Sequence, residues 1–126
     1  MKQALSTDQA PAALGPYSQA IRTGSLVFLS GQIGLDPSTG ALAEGFEAQV
    51  HQAFRNLSAV AKASGATLDD AVKLTLFLTD LGHFAQVNAI MESLFKAPYP
   101  ARSTIGVASL PRGALFEAEA VIAAPA

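Results

Sequence analysis

This sequence predicts an α+β fold, two helices laid on one face of a mixed β-sheet, and three observations carry the prediction. Val72, Leu74, Leu76 and Leu78 alternate with Lys73, Thr75, Phe77 and Thr79, the period of a strand with one face buried. Phe46, Val50, Ala53, Phe54, Leu57, Val60 and Ala61 recur at helical spacing. Apolar runs of strand length toward both ends of the chain are bracketed by Gly and Pro turn residues.

Taken in order, Ser18 to Thr23 and Leu26 to Ser30 are extended runs separated by Gly24-Ser25, which predicts a first hairpin. Gly31 and Gly34 interrupt the pattern, and the strand is expected to end near Gly31. Asp36-Pro37-Ser38-Thr39-Gly40 has turn chemistry. The helix over Phe46 to Ala63 is stopped by Gly65. The strand Val72 to Thr79 follows, and Asp80 can cap a second helix whose stripe is Phe84, Val87, Ile90, Met91, Leu94 and Phe95, ended by Pro98 and Pro100. Asn88 falls at the margin of that stripe. Ser103 to Leu110, the turn Pro111-Arg112-Gly113 and Leu115 to Ile122 read as a hairpin-like pair. The order is β-β-α-β-α-β-β, a sandwich whose uncovered sheet face, with Phe77 and several Thr and Ser positions, has the moderate polarity of a subunit interface.

The 126 residues are read as one domain, 1–126. Charged residues make up 14% of the chain, against roughly 25% in a typical soluble domain, while AVILMFWYC residues reach 50%. So small a domain does not easily bury that much apolar surface alone, which predicts an oligomer, although alanine inflates the count. Net charge is −2 with eight Lys and Arg scattered along the chain, so nucleic acid is not an expected partner. Without cysteine there is no disulfide, thiol nucleophile or thiolate metal site. His51 and His83 lack metal-ligand spacing and are read as solvated helix residues; no metal and no cofactor is expected. With no apolar leader and no run long enough to span a bilayer, the expected location is the cytoplasm.

Arg102 stands out because a charge-poor chain places a guanidinium where an apolar strand begins, behind Pro100, a residue at home at strand starts and sheet edges. Its planar fork matches a carboxylate in two parallel hydrogen bonds. Glu117 and Glu119 share one strand face by the period of two, so arginine and carboxylate can line one site, or form a plain surface pair. Partial burial of either glutamate would raise its pKa and suit it to proton transfer, whereas a solvated edge strand would not. Tyr17 follows the rigid Gly15-Pro16 and is either a directed phenol or an aromatic at the edge of the core. Ser30-Gly31-Gln32 is either a site where a ligand approaches the main chain or a strand-terminating turn. No Ser-His-Asp set, phosphate loop or dinucleotide fingerprint is present.

Together these residues resemble one family across nearly the whole chain. The run Ala10 to Ala20, then Ser30-Gly31-Gln32-Ile33, then Pro100 to Gly113 and Glu117-Ala118-Glu119 are similar to the RidA (YjgF/YER057c/UK114) family, Pro100 to Gly113 matching its signature. The resemblance implies a chorismate-mutase-like fold and a homotrimer whose sheets form a central barrel, with sites in three clefts between subunits. It also implies the activity of a 2-iminobutanoate/2-iminopropanoate deaminase. Such an enzyme hydrolyses enamines and imines, such as 2-aminoacrylate and 2-iminopropanoate, to 2-oxo acids and ammonia.

Carried over by position, the carboxylate-binding arginine is Arg102 and the water-associated glutamate is Glu117, with Tyr17, Ser30, Gly31 and Asn88 lining the cleft. Thr104 stands where well-studied members have cysteine, so its contribution is through backbone or hydroxyl. The short stretch Phe95 to Tyr99 bears on the size of substrate accepted. Members lacking the arginine lack the deaminase activity. Two rival readings are an endoribonuclease, for which the chain has no basic stripe, and a non-catalytic ligand-binding or chaperone-like trimer.

Overall fold

The computed structural model describes residues 1–124. One six-stranded sheet carries two helices on a single face, in the strand order β1-β2-β3-β6-β4-β5. The strands are β1 (Gln3–Leu5), β2 (Ala20–Thr23), β3 (Leu26–Ile33), β4 (Ala71–Leu78), β5 (Ala101–Gly106) and β6 (Phe116–Ala123). The helices are α1 (Phe46–Ala63), after β3, and α2 (Phe84–Leu94), between β4 and β5. The α+β class is therefore as the sequence predicts, with β1 added at the edge beside β2.

Alternation sorts every strand into two faces. Val27, Leu29, Leu74, Leu76, Leu78, Phe116, Ala118, Ala120 and Ile122 are buried beneath the helices with Val50, Phe54, Leu57, Val60, Val87 and Ile90. Each fully buried Leu, Ile or Phe contributes about 1.5–3 kcal/mol relative to exposure. The small alanines of β6 let α1 lie close over the centre of the sheet, while Phe54 packs against both Phe95 and Phe116. α1 stops where expected: Gly65, at φ 83°, donates its N–H to Lys62 O at 2.9 Å. Asp80 accepts from Gly82 N at 2.8 Å and opens a short 3-10 turn, Leu81–His83, that leads into α2.

Four expectations are corrected. β3 does not end near Gly31; it passes through a bulge between Leu29 and Gln32 and continues to Ile33. β5 and β6 are not a hairpin: β5 pairs parallel to β4 at the sheet edge, and β6 is inserted between β3 and β4, antiparallel to both. The intervening segment is a long connection, in which Val107 N still bonds Leu78 O and the turn Pro111–Gly113 comes later, so it can carry the chain across β4. His83 is not a solvated helix residue; it lies in the 3-10 turn with its ring stacked on Phe46 at 4.0 Å. In the α2 stripe, Val87, Ile90, Met91 and Phe95 are buried but Phe84 is 44% exposed, because it turns toward the edge strand instead of the core.

Buried amides on α1 fix the loops around the sheet. Asn56 Nδ2 donates to Ile33 O and Leu35 O at 3.1 and 2.9 Å, and Gln52 Nε2 donates to Asn56 Oδ1. Gln49 accepts from Leu115 N at 2.8 Å and donates to Ala43 O at 3.0 Å. Gly34 permits this approach, since a Cβ there would lie 2.6 Å from the Gln49 Cα. The entry to β6, and with it Glu117, is thus tied to α1.

Candidate active site

The register of β4 decides where the candidate residues point. Leu74 and Leu76, on the helix-covered face, stand opposite Arg102 and Thr104 of β5, whereas Phe77, on the open face, stands opposite Glu117 of β6. Paired residues share a face. Within the chain Arg102 and Glu117 therefore lie on opposite faces of the sheet, two inter-strand gaps (roughly 10 Å) apart across it and three residues (about 10 Å) apart along it. The hairpin-like pairing, which would have set arginine and carboxylate side by side on adjacent strands, does not form, and the reason is the insertion of β6 on the far side of β4.

Glu117 belongs to the first of two separate clusters of candidate residues. It shares a cavity of about 280 Å³ with Tyr17, Gly31, Pro111 and Arg112. The β3 bulge makes room for it: a Cβ on Gly31 would lie 2.5 Å from Glu117 Oε2, so no other residue fits without moving the carboxylate. Burial pushes the Glu117 carboxyl pKa up, and the charge of Glu119, two residues along the same face, pushes it further. Ser30 anchors the bulge, its N–H donating to Gln19 O at 3.0 Å and its hydroxyl to Ser18 O at 2.6 Å. Gln19, nearly buried, accepts from Thr7 N at 2.7 Å and donates to Pro11 O at 2.7 Å, which pins the segment leading to Tyr17. Tyr17 borders the same cavity and is 53% exposed, so it is not a core aromatic.

Arg102 organises the second cluster, around another cavity of about 280 Å³ that Asn88, Met91, Tyr99 and Glu92 also border. Nη1 donates to Asn88 Oδ1 at 2.7 Å and to Met91 Sδ at 3.4 Å, and Cζ lies 5.3 Å from the centre of the Phe84 ring. Among the described residues the guanidinium has no carboxylate within ion-pair distance. Its hydrogen bonds there are all made by Nη1, so the edge formed by Nε and Nη2 remains to meet a ligand carboxylate in a two-pronged contact. The Thr104 hydroxyl, on the same face, is buried without a hydrogen-bond partner.

The sequence pattern places Asn88 at the margin of a stripe and Phe84 and Met91 within the apolar stripe itself. Positions 84, 88 and 91 are one helix face, and that spacing, read together with an arginine on the following strand, was the available signal. Gln19 and Arg112 are not among the candidates the sequence offers as site residues. Arg112 has φ 62°, a rare backbone state for a side-chain-bearing residue, and donates to Gly40 O at 3.2 Å. Among the described residues no cluster of three or more His, Cys, Asp or Glu suits a metal ion.

Comparison with known proteins adds three relatives. A RutC family protein of Sinorhizobium fredii is 49% identical over 124 residues, covering 97% of this chain and 98% of that protein. A 2-iminobutanoate/2-iminopropanoate deaminase of Salmonella typhimurium is 46% identical, covering 96% and 97%. The crystal structure of RidA from an Antarctic Psychrobacter superposes with a TM-score of 0.94 at 46% identity, covering 96% of this chain and 98% of that one. The family model described as Endoribonuclease L-PSP matches residues 7–124, so β2 to β6, both helices and every candidate site residue fall within the match. From β2 to β6 and through both helices, then, the chain belongs to the Endoribonuclease L-PSP family, that of the RidA and YjgF proteins.

Proposed function

We propose that this protein is a hydrolytic deaminase of 2-imino acids, acting on 2-iminopropanoate, 2-iminobutanoate and their enamine tautomers, with its site assembled between subunits of a homotrimer. The observation that carries this reading is the separation of two clusters: Arg102, with a guanidinium edge suited to a carboxylate, and Glu117, a half-buried carboxyl, stand on opposite faces of one sheet, each beside a half-open cavity. A cleft that takes Arg102, Asn88 and Thr104 from one subunit and Tyr17, Ser30, Gly31 and Glu117 from the next joins them. The open sheet face bears Phe28 and Ile105, each more than two-fifths exposed, and is the surface such an assembly covers. The deaminase name of the Salmonella relative, at 46% identity over nearly full length, supports the substrate class.

In this reading the Nε and Nη2 edge of Arg102 holds the substrate carboxylate and fixes the depth of the adjacent C=N carbon. Glu117, its pKa raised by burial, takes a proton from a water as that water's oxygen bonds to the carbon. It passes that proton to nitrogen to give a carbinolamine, then takes the remaining hydroxyl proton and delivers it to nitrogen as the C–N bond breaks and the C=O bond forms. Imine and water become 2-oxo acid and ammonia, with no redox change and no cofactor consumed. Acid–base help of this kind is worth roughly 10²–10⁴-fold, enough for a reaction that already runs in water. Among the described residues no helix is long and apolar enough to cross a membrane, and the cytoplasm is the proposed location. The family description names an endoribonuclease, but a net charge of −2 with scattered cations offers no track for phosphates.

The test couples an amino-acid oxidase or dehydratase, which releases imines in situ, to this protein, and follows 2-oxo acid release. Faster release than the uncatalysed rate is expected. No acceleration, with cleavage of RNA instead, would replace this reading by the endoribonuclease one.

A further inference from the structure

Arg102 is held by three side chains of one α2 face, and one of them is a sulfur. Nη1 stands 2.7 Å from Asn88 Oδ1 and 3.4 Å from Met91 Sδ. Met91 is 5% exposed, yet it borders the cavity beside the guanidinium. The chain has no cysteine, no tryptophan and two methionines, Met1 and Met91. Met1 is fully exposed at the terminus. Met91 is therefore the one sulfur packed within the fold, and it touches the side chain assigned to the substrate carboxylate.

We propose that Met91 is an oxidation site whose conversion to the sulfoxide reversibly switches off carboxylate binding by Arg102. The inference rests on the carboxylate-binding role given to Arg102 above. A peroxide small enough to enter the cavity is the oxidant: a sulfur lone pair attacks one peroxide oxygen, an S–O bond forms as the O–O bond breaks, and water leaves after proton transfer. Sulfur gives up two electrons and the peroxide takes them. In the reverse direction two thiols of a reducing partner supply two electrons, become a disulfide, and the oxygen departs as water.

The consequence follows from the distances. Thioether sulfur is a weak acceptor that leaves the guanidinium available. A sulfoxide oxygen is a strong, polar acceptor added where sulfur already lies 3.4 Å from Nη1. It either draws the guanidinium onto α2 or displaces the Asn88 contact, and in both cases the Nε and Nη2 edge turns from the cavity. Because Asn88 and Met91 share Nη1, a change at one is felt at the other.

The experiment treats the intact protein with graded hydrogen peroxide and locates the added oxygen by peptide mass mapping. Equilibrium binding of 2-oxobutanoate by calorimetry is measured beside imine hydrolysis. Binding is expected to weaken about tenfold or more, as for a misaligned charge-assisted contact, in proportion to oxidation of Met91, with the folded circular dichroism kept. Methionine sulfoxide reductase should restore it. Met91→Gln, a polar side chain of similar length, should mimic the oxidised form, while Met91→Leu should bind somewhat more weakly than the parent and lose nothing further on treatment. Retained binding with Met91 fully oxidised, loss tracking Met1 instead, equal loss in Met91→Leu, or a Met91 that resists peroxide in the folded protein would overturn the proposal. If Arg102→Ala binds 2-oxobutanoate as the parent does, the reading of the site itself falls. If that variant loses binding but the sulfoxide does not, only the oxidation switch falls.

Discussion

In the proposed mechanism Arg102 supplies guanidinium geometry and not charge alone. The Asn88 and Met91 contacts occupy Nη1 and orient the opposite edge, and a lysine ammonium cannot reproduce that planar pair of donors. Arg102→Lys and Arg102→Ala should both remain folded and lose on the order of 10²-fold or more in kcat/KM for carboxylate-bearing imines. Near-parental turnover in either variant counts against the carboxylate role. Thr104→Ala should behave oppositely: it removes a buried hydroxyl that has no partner, so turnover should stay largely intact and thermal stability should hold or rise. A loss as deep as that of the arginine variants would assign the hydroxyl a direct role. Glu117→Gln should weaken turnover more than 2-oxo acid binding, since shape is kept and the proton acceptor removed. Its folded pKa is raised, so the native state holds the proton longer than the unfolded chain does. Stability is then lost as pH rises from the ordinary glutamate value through the raised one. Across that window the glutamine variant should gain in melting temperature relative to the parent, and the parent's rate should rise with pH as Glu117 ionises. A flat difference would mean that burial does not strain this carboxyl.

At the scale of elements, the bulge in β3 and the position of β6 make the Glu117 cluster. Gly31 sits where any Cβ would strike the Glu117 carboxylate at 2.5 Å. Gly31→Ala should therefore cut turnover at least tenfold, about the size of a lost acid–base alignment, while circular dichroism stays native. Unchanged turnover would show that the carboxylate tolerates displacement. The bulge was not legible in the sequence: Ser30-Gly31 reads equally well as the end of a strand, and only pairing with β6 shows that the strand resumes at Gln32. The α2 stripe was legible in its period but not in its partners, because an aromatic and a thioether look like core until an arginine is seen to lie across them.

For the whole molecule the prediction is shared sites. Light scattering should report a trimer at micromolar concentration, and a monomer would remove the basis for the cleft. A sharper test mixes two disabled variants. If each cleft takes Arg102 from one subunit and Glu117 from its neighbour, Arg102→Ala and Glu117→Gln chains refolded together should regain about a quarter of parental activity, one half times one half, in randomly assembled closed rings. No recovery beyond the separate variants would mean that both residues act within one subunit, against their placement on opposite sheet faces.

By itself the sequence determined the periodicities, and with them the α+β class, the two helices and the edge position of Arg102, since burial on one face repeats locally every 2 or 3.6 residues. It also carried the identity of Arg102, Glu117, Tyr17 and Asn88 as site candidates, through residue types and motifs that do not depend on pairing. Strand order was beyond it: the run from Ser103 to Ile122 looks like a hairpin because local pattern cannot say that β6 crosses to the far side of β4. That crossing sets Arg102 and Glu117 on opposite faces. Only the tertiary structure could decide this, because which face a strand residue shares with a distant one is fixed by hydrogen-bond register between strands, a property of no single segment.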